Sequence, residues 1–191
     1  MSVFAIIMFT VTLYFAYQIF MHVQSLEESP PANDEKSEEI SDVNQLVQEA
    51  DEAYQNEDFK TAQEKLGAAY LTQPQNIEIL NKLAYVHAKR GDIQLAIDLY
   101  NRSLGLDDND DVTHNALASL YRTNGSLVLA KEHYEKALMI DDEYAVTYYN
   151  YANLLVDLGE TKQAEDMYLK ALELDSEMSD AHEALENLRK I

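Results

Sequence analysis

A period of 34 residues constrains this 191-residue chain more than any other feature of its sequence. Aligned at this period, the blocks carry alanine at their eighth and twentieth places, and a large residue at the twenty-fourth. The large residues are Leu66, Tyr100, Tyr134 and Tyr168. Such a period is typical of a solenoid, whose units bury their apolar faces only against neighbouring units. The blocks are residues 43–76, 77–110, 111–144 and 145–178.

The alternation of small and large places predicts two antiparallel helices in each block. Helices approach closely where small side chains meet, and a large side chain from the second helix fills the remaining space. The fifteenth place is Gly91, Gly125 and Gly159 in the last three blocks, and Glu57 in the first. Glycine adopts the left-handed conformation that ends a helix without steric strain. Polar turns between the blocks end one helix and cap the next.

On these residues the sequence resembles the tetratricopeptide repeat family, whose unit has this period and these small and aromatic places. The resemblance implies an all-α fold, an α-solenoid of four helix pairs. Residues 179–191 restart the pattern as a single helix with Ala181 and Leu185 facing inward, which predicts a solvating C-terminal cap. His114 departs from the bulky residue usual at the fourth place, and the first block lacks the glycine.

The first 23 residues differ in composition from the repeats. Residues 3–23 contain no Asp, Glu, Lys or Arg, and as a helix they would span about 30 Å, the thickness of a bilayer's hydrocarbon core. The alternative is a cleavable signal peptide, which has basic residues before a shorter apolar run; only Met1 and Ser2 precede this one. The sequence predicts a retained, single N-terminal transmembrane helix over residues 1–23.

Residues 24–42 contain seven acidic residues, one lysine and Pro30-Pro31. This composition predicts an acidic, flexible and extended linker. No Lys or Arg flanks the anchor closely enough to orient it by the positive-inside rule. The lone anchor, the acidic flank and the absence of cysteine favour a bacterial inner membrane with the repeats in the periplasm, where a free thiol would be a liability.

Composition also excludes several function classes. The chain has 35 Asp and Glu against 14 Lys and Arg, a net charge of −21, so phosphate backbones repel it and nucleic acid is not an expected partner. Without cysteine there is no disulfide or thiolate chemistry. The sequence contains no recognisable phosphate loop, nucleophile elbow or paired-carboxylate motif. We therefore expect no enzymatic activity and no cofactor.

Histidines and one acidic run are the candidates for a metal site. His87, His114 and His182 stand at places that are otherwise packing positions, which indicates core histidines. Residues 107–111 lack the glycine and glutamate of a calcium loop and fall on a turn, where Asp and Asn cap helices. The sequence predicts no metal site, with weak divalent-cation binding at this run as the alternative.

The resemblance also implies a concave groove lined by the first helices of successive repeats, at places 2, 5, 9 and 12. Asparagine amides there can pair with an extended peptide backbone, and tyrosines supply apolar area with a polar tip. The alternative interpretation is that these are ordinary solvent-facing residues. The predicted partner-binding residues are Asn81, Tyr85, Asn115, Ser119, Arg122, Tyr149 and Asn153.

These features predict a membrane-anchored scaffold or adaptor that binds a peptide or protein partner during assembly of an envelope or membrane complex. Some proteins of the family bind acidic C-terminal tails of heat-shock chaperones with a basic clamp. Val47, Asp51, Val112 and Ala116 stand at clamp places here, so that partner class is not expected.

Two alternatives for the function stay open. One is a cytosol-facing organelle import receptor, which has the same fold and the opposite orientation. The other is an accessory subunit of a membrane complex that docks through its transmembrane helix. Thr12 and Ala16 form a small-xxx-small pair suited to such packing.

Overall fold

The structure is a computed structural model that describes Gln18 and residues 32–190. Within residues 32–190 the chain forms nine α-helices and no strand, which confirms the predicted all-α solenoid for this part of the chain. The helices are α1 (Ala32–Gln55), α2 (Phe59–Thr72), α3 (Ile77–Arg90), α4 (Ile93–Leu104), α5 (Asp111–Thr123), α6 (Leu127–Ile140), α7 (Ala145–Asp157), α8 (Thr161–Leu174) and α9 (Ser179–Leu188).

The chain divides into two compact units, Met1–Asn44 and Gln45–Ile191. The predicted transmembrane anchor, residues 1–23, lies outside the described residues apart from Gln18. None of the described helices combines the length and the apolar composition needed to cross a membrane. From α2 onward every helix lies in the second unit.

The predicted extended linker is wrong over its second half, because α1 begins at Ala32 and continues through residue 42. Pro30-Pro31 stand directly before the helix, where the missing backbone N–H of proline is not needed. Glu, Lys and Ala are strong helix formers, and acidic residues near a helix N-terminus complement its dipole. A charged segment of this composition therefore forms a helix.

The turn inside each repeat uses a left-handed backbone conformation. Gly91, Gly125 and Gly159 have φ angles of 85°, 79° and 75°, as predicted for the fifteenth place. Glu57 adopts the same conformation in the first repeat, with a φ of 59°, and is the single non-glycine residue with a positive φ in the described part of the chain. The first repeat therefore keeps the turn geometry without glycine, which costs about 1–2 kcal/mol of backbone strain.

Three helices begin at a side-chain cap. Carboxylate or amide oxygens of Asp58, Asn76 and Asp110 accept hydrogen bonds from backbone N–H groups three residues later, at 3.1, 3.3 and 3.0 Å. Each cap satisfies an N–H group that has no partner within its helix, and contributes about 1 kcal/mol. Asn76 and Asp110 lie at junctions between repeats, so they define where the first helix of the next repeat begins.

The alanine places form the seam between paired helices. Ala84, Ala118 and Ala152 of the first helices are fully buried, as are Ala96, Ala130 and Ala164 of the second helices. Tyr100, Tyr134 and Tyr168 are buried beside them, and burial raises the pKa of the Tyr134 phenol to about 12. The predicted register of small and large places is confirmed.

Helix α9 covers the exposed end of the last repeat. Ala181 and Leu185 are buried while Glu183 and Glu186 are exposed, as predicted for a cap. His182 is also exposed, and its ring contacts the carbonyl oxygen of Ser176 at 3.0 Å. The prediction of a core histidine is therefore wrong at this position, because no second helix follows within the described residues to cover that face of α9.

Candidate functional site, the central groove

A groove of about 690 Å³ runs across the first helices of the second, third and fourth repeats. We call it the central groove. Helices α3 and α5 form most of its wall, and α7 with the residue before it closes the far side. Its lining residues are Asn81, Lys82, Tyr85, Ala88, Lys89, Tyr100, Val112, Thr113, Asn115, Ala116, Ser119, Leu120, Tyr144, Val146 and Asn150.

The structure brings only part of the predicted binding set together. Two amides, one tyrosine and one serine line the central groove, namely Asn81, Tyr85, Asn115 and Ser119. Arg122, Tyr149 and Asn153 are not among the lining residues. The groove is therefore centred on the second and third repeats rather than extending evenly along the array.

The Asn115 amide is a packing element as well as a groove residue. It is buried, with 8% of its surface exposed, and its Oδ1 accepts a hydrogen bond from Asn150 Nδ2 at 3.2 Å. This bond joins α5 to α7 across the boundary between two repeats. Asn150 stands at the sixth place of its block, outside the places that the resemblance assigns to the groove, so the sequence analysis missed it.

Asn81 lines the groove, but its acceptor oxygen is buried. Its Nδ2 donates to Asp110 Oδ2 at 3.2 Å, while its Oδ1 is buried without a hydrogen-bond partner among the described residues. Asp110 in turn accepts from the Thr113 hydroxyl at 2.6 Å, which holds the carboxylate in place. A buried, unpaired acceptor costs about 1–3 kcal/mol.

The Tyr85 ring, with the Lys89 ammonium group above it, forms one side of the groove. The Tyr85 ring lies 5.3 Å from the Tyr54 ring, and 42% of Tyr85 remains exposed. Lys89 Nζ lies 5.3 Å from the centre of the Tyr85 ring, a cation–π contact. Burial, together with the hydrogen bond to Tyr85, raises the pKa of Tyr54 to about 12. The Tyr54 phenol is therefore neutral at physiological pH.

Lys82 is the second lysine that lines the groove, and it is paired with carboxylates. Its Nζ donates to Asp51 Oδ1 at 2.7 Å and lies 3.4 Å from Glu78 Oε1. Partial burial acts to lower the pKa of Lys82, but the hydrogen bonds to Asp51 and Glu78 outweigh it and raise that pKa. Lys82 therefore stays protonated, and its charge is matched within the protein.

Helix α5 and the residue before α7 contribute exposed apolar side chains to the groove. Val112 and Tyr144 are 57% and 40% exposed, and Ala116 and Val146 lie beside them in the lining. Apolar side chains left exposed together in a concave surface of an acidic protein are typical of a protein interaction site.

The three predicted residues outside the groove make contacts within the array. Arg122 Nε forms an ion pair with Asp157 on the next repeat. Asn153 Oδ1 accepts a 2.6 Å hydrogen bond from the Tyr168 hydroxyl. The Tyr149 ring packs 6.0 Å from the Tyr168 ring, and Tyr149 lines a separate depression of about 280 Å³ against α9. The Asn153 amide, like that of Asn115, is therefore engaged by a neighbouring side chain within the array.

A histidine pair lies within the third repeat, with His114 buried and His133 half-buried. His114 Nε2 contacts the carbonyl oxygen of Asp108 at 3.1 Å, so this nitrogen donates. His114 Nδ1 lies 2.8 Å from His133 Nδ1, so one of these two nitrogens donates a hydrogen bond to the other. Burial, and then repulsion from His114 and Lys136, lowers the pKa of His133 to about 4. The described residues contain no group of three side chains able to hold a metal ion.

Comparison with known proteins matches the repeated sequence to one family. Two family models, both of the tetratricopeptide repeat, match residues 47–111 and 109–177. No curated protein matches the chain significantly.

Solved structures share the fold at low sequence identity. The fragment of Desulfovibrio magneticus RS-1 MamA from residue 41 to the end superposes with a TM-score of 0.71 at 17% identity, over 78% of this chain and 84% of the fragment. Pseudomonas aeruginosa PilF gives 0.73 at 16% identity, over 80% and 69% of the two chains. YrrB, a protein with an unusual peptide-binding site, gives 0.65 at 20% identity, over 74% and 71%.

Proposed function

We infer, from the premise that this chain belongs to the tetratricopeptide repeat family, that it is a scaffold that binds a peptide or protein segment in its central groove. Repeats of this family generally mediate protein–protein or peptide binding and are generally non-enzymatic. The observation that carries the proposal is the set of exposed apolar side chains that line the groove, those of Tyr85, Val112 and Tyr144.

The groove suits an extended segment. The exposed apolar side chains of Val112 and Tyr144 can cover one or two side chains of the ligand. The groove walls are helices held by buried alanine seams and by the Asn115–Asn150 bond. Because these walls are already ordered, binding loses less conformational entropy than it would on a flexible surface.

Site-specific photocrosslinking in the native host tests the proposal. A photoreactive residue at Val112 should crosslink the partner, because this exposed side chain faces the groove. The matched control is Val128 of α6, which is 73% exposed on a second helix and outside the groove lining. The partner identified at Val112 should then bind the purified chain, and Tyr85→Ala should weaken it about tenfold or more, as loss of an interface tyrosine does. Equal crosslinking at both valines would contradict a role for the groove.

We further propose that residues 1–23 anchor the chain in a bacterial inner membrane, with the repeats in the periplasm as part of an envelope or membrane complex. The apolar run over residues 3–23 and the absence of cysteine support this placement. The chain should resist alkaline carbonate extraction of membranes. Protease added to spheroplasts should digest the repeats.

Other outcomes favour other placements. Release of a mature chain that begins near Gln24 would favour a cleaved signal peptide. Protection of the repeats until the membrane is lysed would favour a cytosol-facing receptor. Loss of complex assembly when the anchor is replaced by an unrelated transmembrane helix, with the groove intact, would favour an accessory subunit docked through that helix.

A further inference from the structure

We propose that the segment bound in the central groove carries an acidic side chain next to an apolar one, and that Lys89 receives the acid. This inference rests on the proposed function, that the groove binds an extended segment. The net charge of −21 alone favours a basic partner. The local arrangement of charges in the groove favours the opposite.

Carboxylates outnumber basic groups over the chain as a whole, but not in the groove lining. Its charged members are Lys82 and Lys89, and no Asp or Glu lines it. The nearby carboxylates are already occupied: Asp51 binds Lys82, and Asp110 accepts from Asn81 and from the start of α5. An acidic ligand group entering the groove therefore meets no unmatched negative charge among the lining residues.

Lys89 is the unmatched cation of this lining. Lys82 is paired with Asp51 and Glu78, whereas Lys89 takes part in no ion pair within the described residues. Lys89 is exposed, and its ammonium lies over the Tyr85 ring. The ring orients this ammonium group beside the groove and leaves it accessible to a ligand carboxylate.

The spacing along α3 indicates the order of groups in the ligand. Asn81, Tyr85 and Lys89 lie four residues apart, on one face of the helix. At about 1.5 Å per residue, Asn81 and Lys89 are separated by about 12 Å along the axis. An extended peptide covers that distance in about four residues.

The ligand therefore has two features in sequence. An apolar side chain packs on Tyr85 and across to Val112, and an acidic side chain reaches Lys89. The cation stands at the thirteenth place of its block, not at the places of the basic clamp discussed above. The acid is therefore expected as a side chain within the segment, rather than as a chain-terminal carboxylate group.

Three synthetic peptide pools test this inference against the full-length chain. All are nine residues long, alternate a randomised apolar residue (Leu, Ile, Val or Phe) with a fixed residue, and differ only in that fixed residue: Glu, Gln or Lys. Binding is measured by fluorescence anisotropy. An exposed ion pair contributes modestly, so the Glu pool should bind about three- to fivefold more tightly than the Gln pool. The Lys pool should bind least.

Matched variants assign the preference to one residue. Lys89→Gln should bind the Glu and Gln pools equally, and Lys89→Glu should bind the Lys pool most tightly. Lys136→Gln is the control, because Lys136 is also an exposed lysine without an ion pair among the described residues, but lies on α6 outside the groove. This control should keep the wild-type preference.

The outcomes separate this inference from the proposed function. Equal binding of the Glu and Gln pools, lost in Val112→Asp, would overturn the acidic preference and leave peptide binding in the groove intact. Tightest binding of the Lys pool to the wild type would show that net charge governs, and would likewise overturn the preference. Absence of binding to all three pools would overturn both proposals.

Discussion

Replacing Glu57 with glycine should stabilise the first repeat. Glu57 takes the left-handed conformation that Gly91, Gly125 and Gly159 take in the other repeats. Its N–H group donates to the carbonyl oxygen of Tyr54 at 2.9 Å, a backbone bond that any residue can make. Glu57 is exposed, and no ion pair of its side chain is among those of the described residues. Removal of the Glu57 side chain therefore costs little stability.

Two opposing effects determine how much Glu57→Gly changes the free energy of unfolding. A non-glycine residue in the left-handed region is strained by about 1–2 kcal/mol, which glycine relieves. Glycine also gains freedom in the unfolded chain, which costs about 0.5–1 kcal/mol. The net gain for Glu57→Gly is about 0.5–1 kcal/mol. The reverse change, Gly125→Ala, should destabilise by about 0.5–1 kcal/mol, since nothing crowds the added methyl group and the strain at a φ of 79° exceeds the entropy that alanine removes from the unfolded chain.

Urea unfolding with hydrogen exchange measures the effect locally. The amides of Glu57 and Asp58, which bond the end of α1, should exchange more slowly in Glu57→Gly, while amides of α7 should be unchanged. Glu57→Ala is the matched control, because it removes the side chain and keeps the strain. Equal stabilisation by alanine and glycine would refute the backbone argument and assign the effect to charge.

Three further changes test the packing of the array. Ala118→Leu should destabilise by about 1–3 kcal/mol and affect neighbouring repeats, because Ala118 is fully buried in the seam; an unchanged melting temperature would contradict the register. Because the pKa of His133 is lowered to about 4 from 6.5, the unfolded chain binds protons more readily between these values. The free energy of unfolding is therefore highest above pH 6.5 and falls as the pH drops toward 4. Because His133 is partly exposed, the loss is at most about 2 kcal/mol. In urea unfolding measured over this pH range, His133→Gln should show a smaller dependence of stability on pH. Arg122→Gln should leave peptide binding unchanged and destabilise by less than about 1 kcal/mol, because the Arg122–Asp157 pair is partly exposed; weakened binding would restore Arg122 to the site.

Local chemistry explains what the sequence alone established. Close helix contacts require small side chains at fixed offsets, so the alanine places predicted the buried seam, and Ala118 and Ala152 lie in it. The turn inside a repeat requires a left-handed residue, so Gly91 and Gly125 predicted its position. The flexible linker predicted from the charge of residues 32–42 was wrong, because the helix propensity of these residues favours a helix.

Which residues line the groove depended on tertiary structure. The repeat offset predicted which residues stand on the first helices, and Asn81, Tyr85 and Asn115 do line the groove. It could not predict that Asn150, one position after Tyr149, would turn toward Asn115 and pair with it. The angle at which successive repeats stack determines which side chains meet, and that angle arises from packing summed over whole helices. Sequence therefore determined the seam inside each repeat, while stacking between repeats determined which polar groups remained available to a partner.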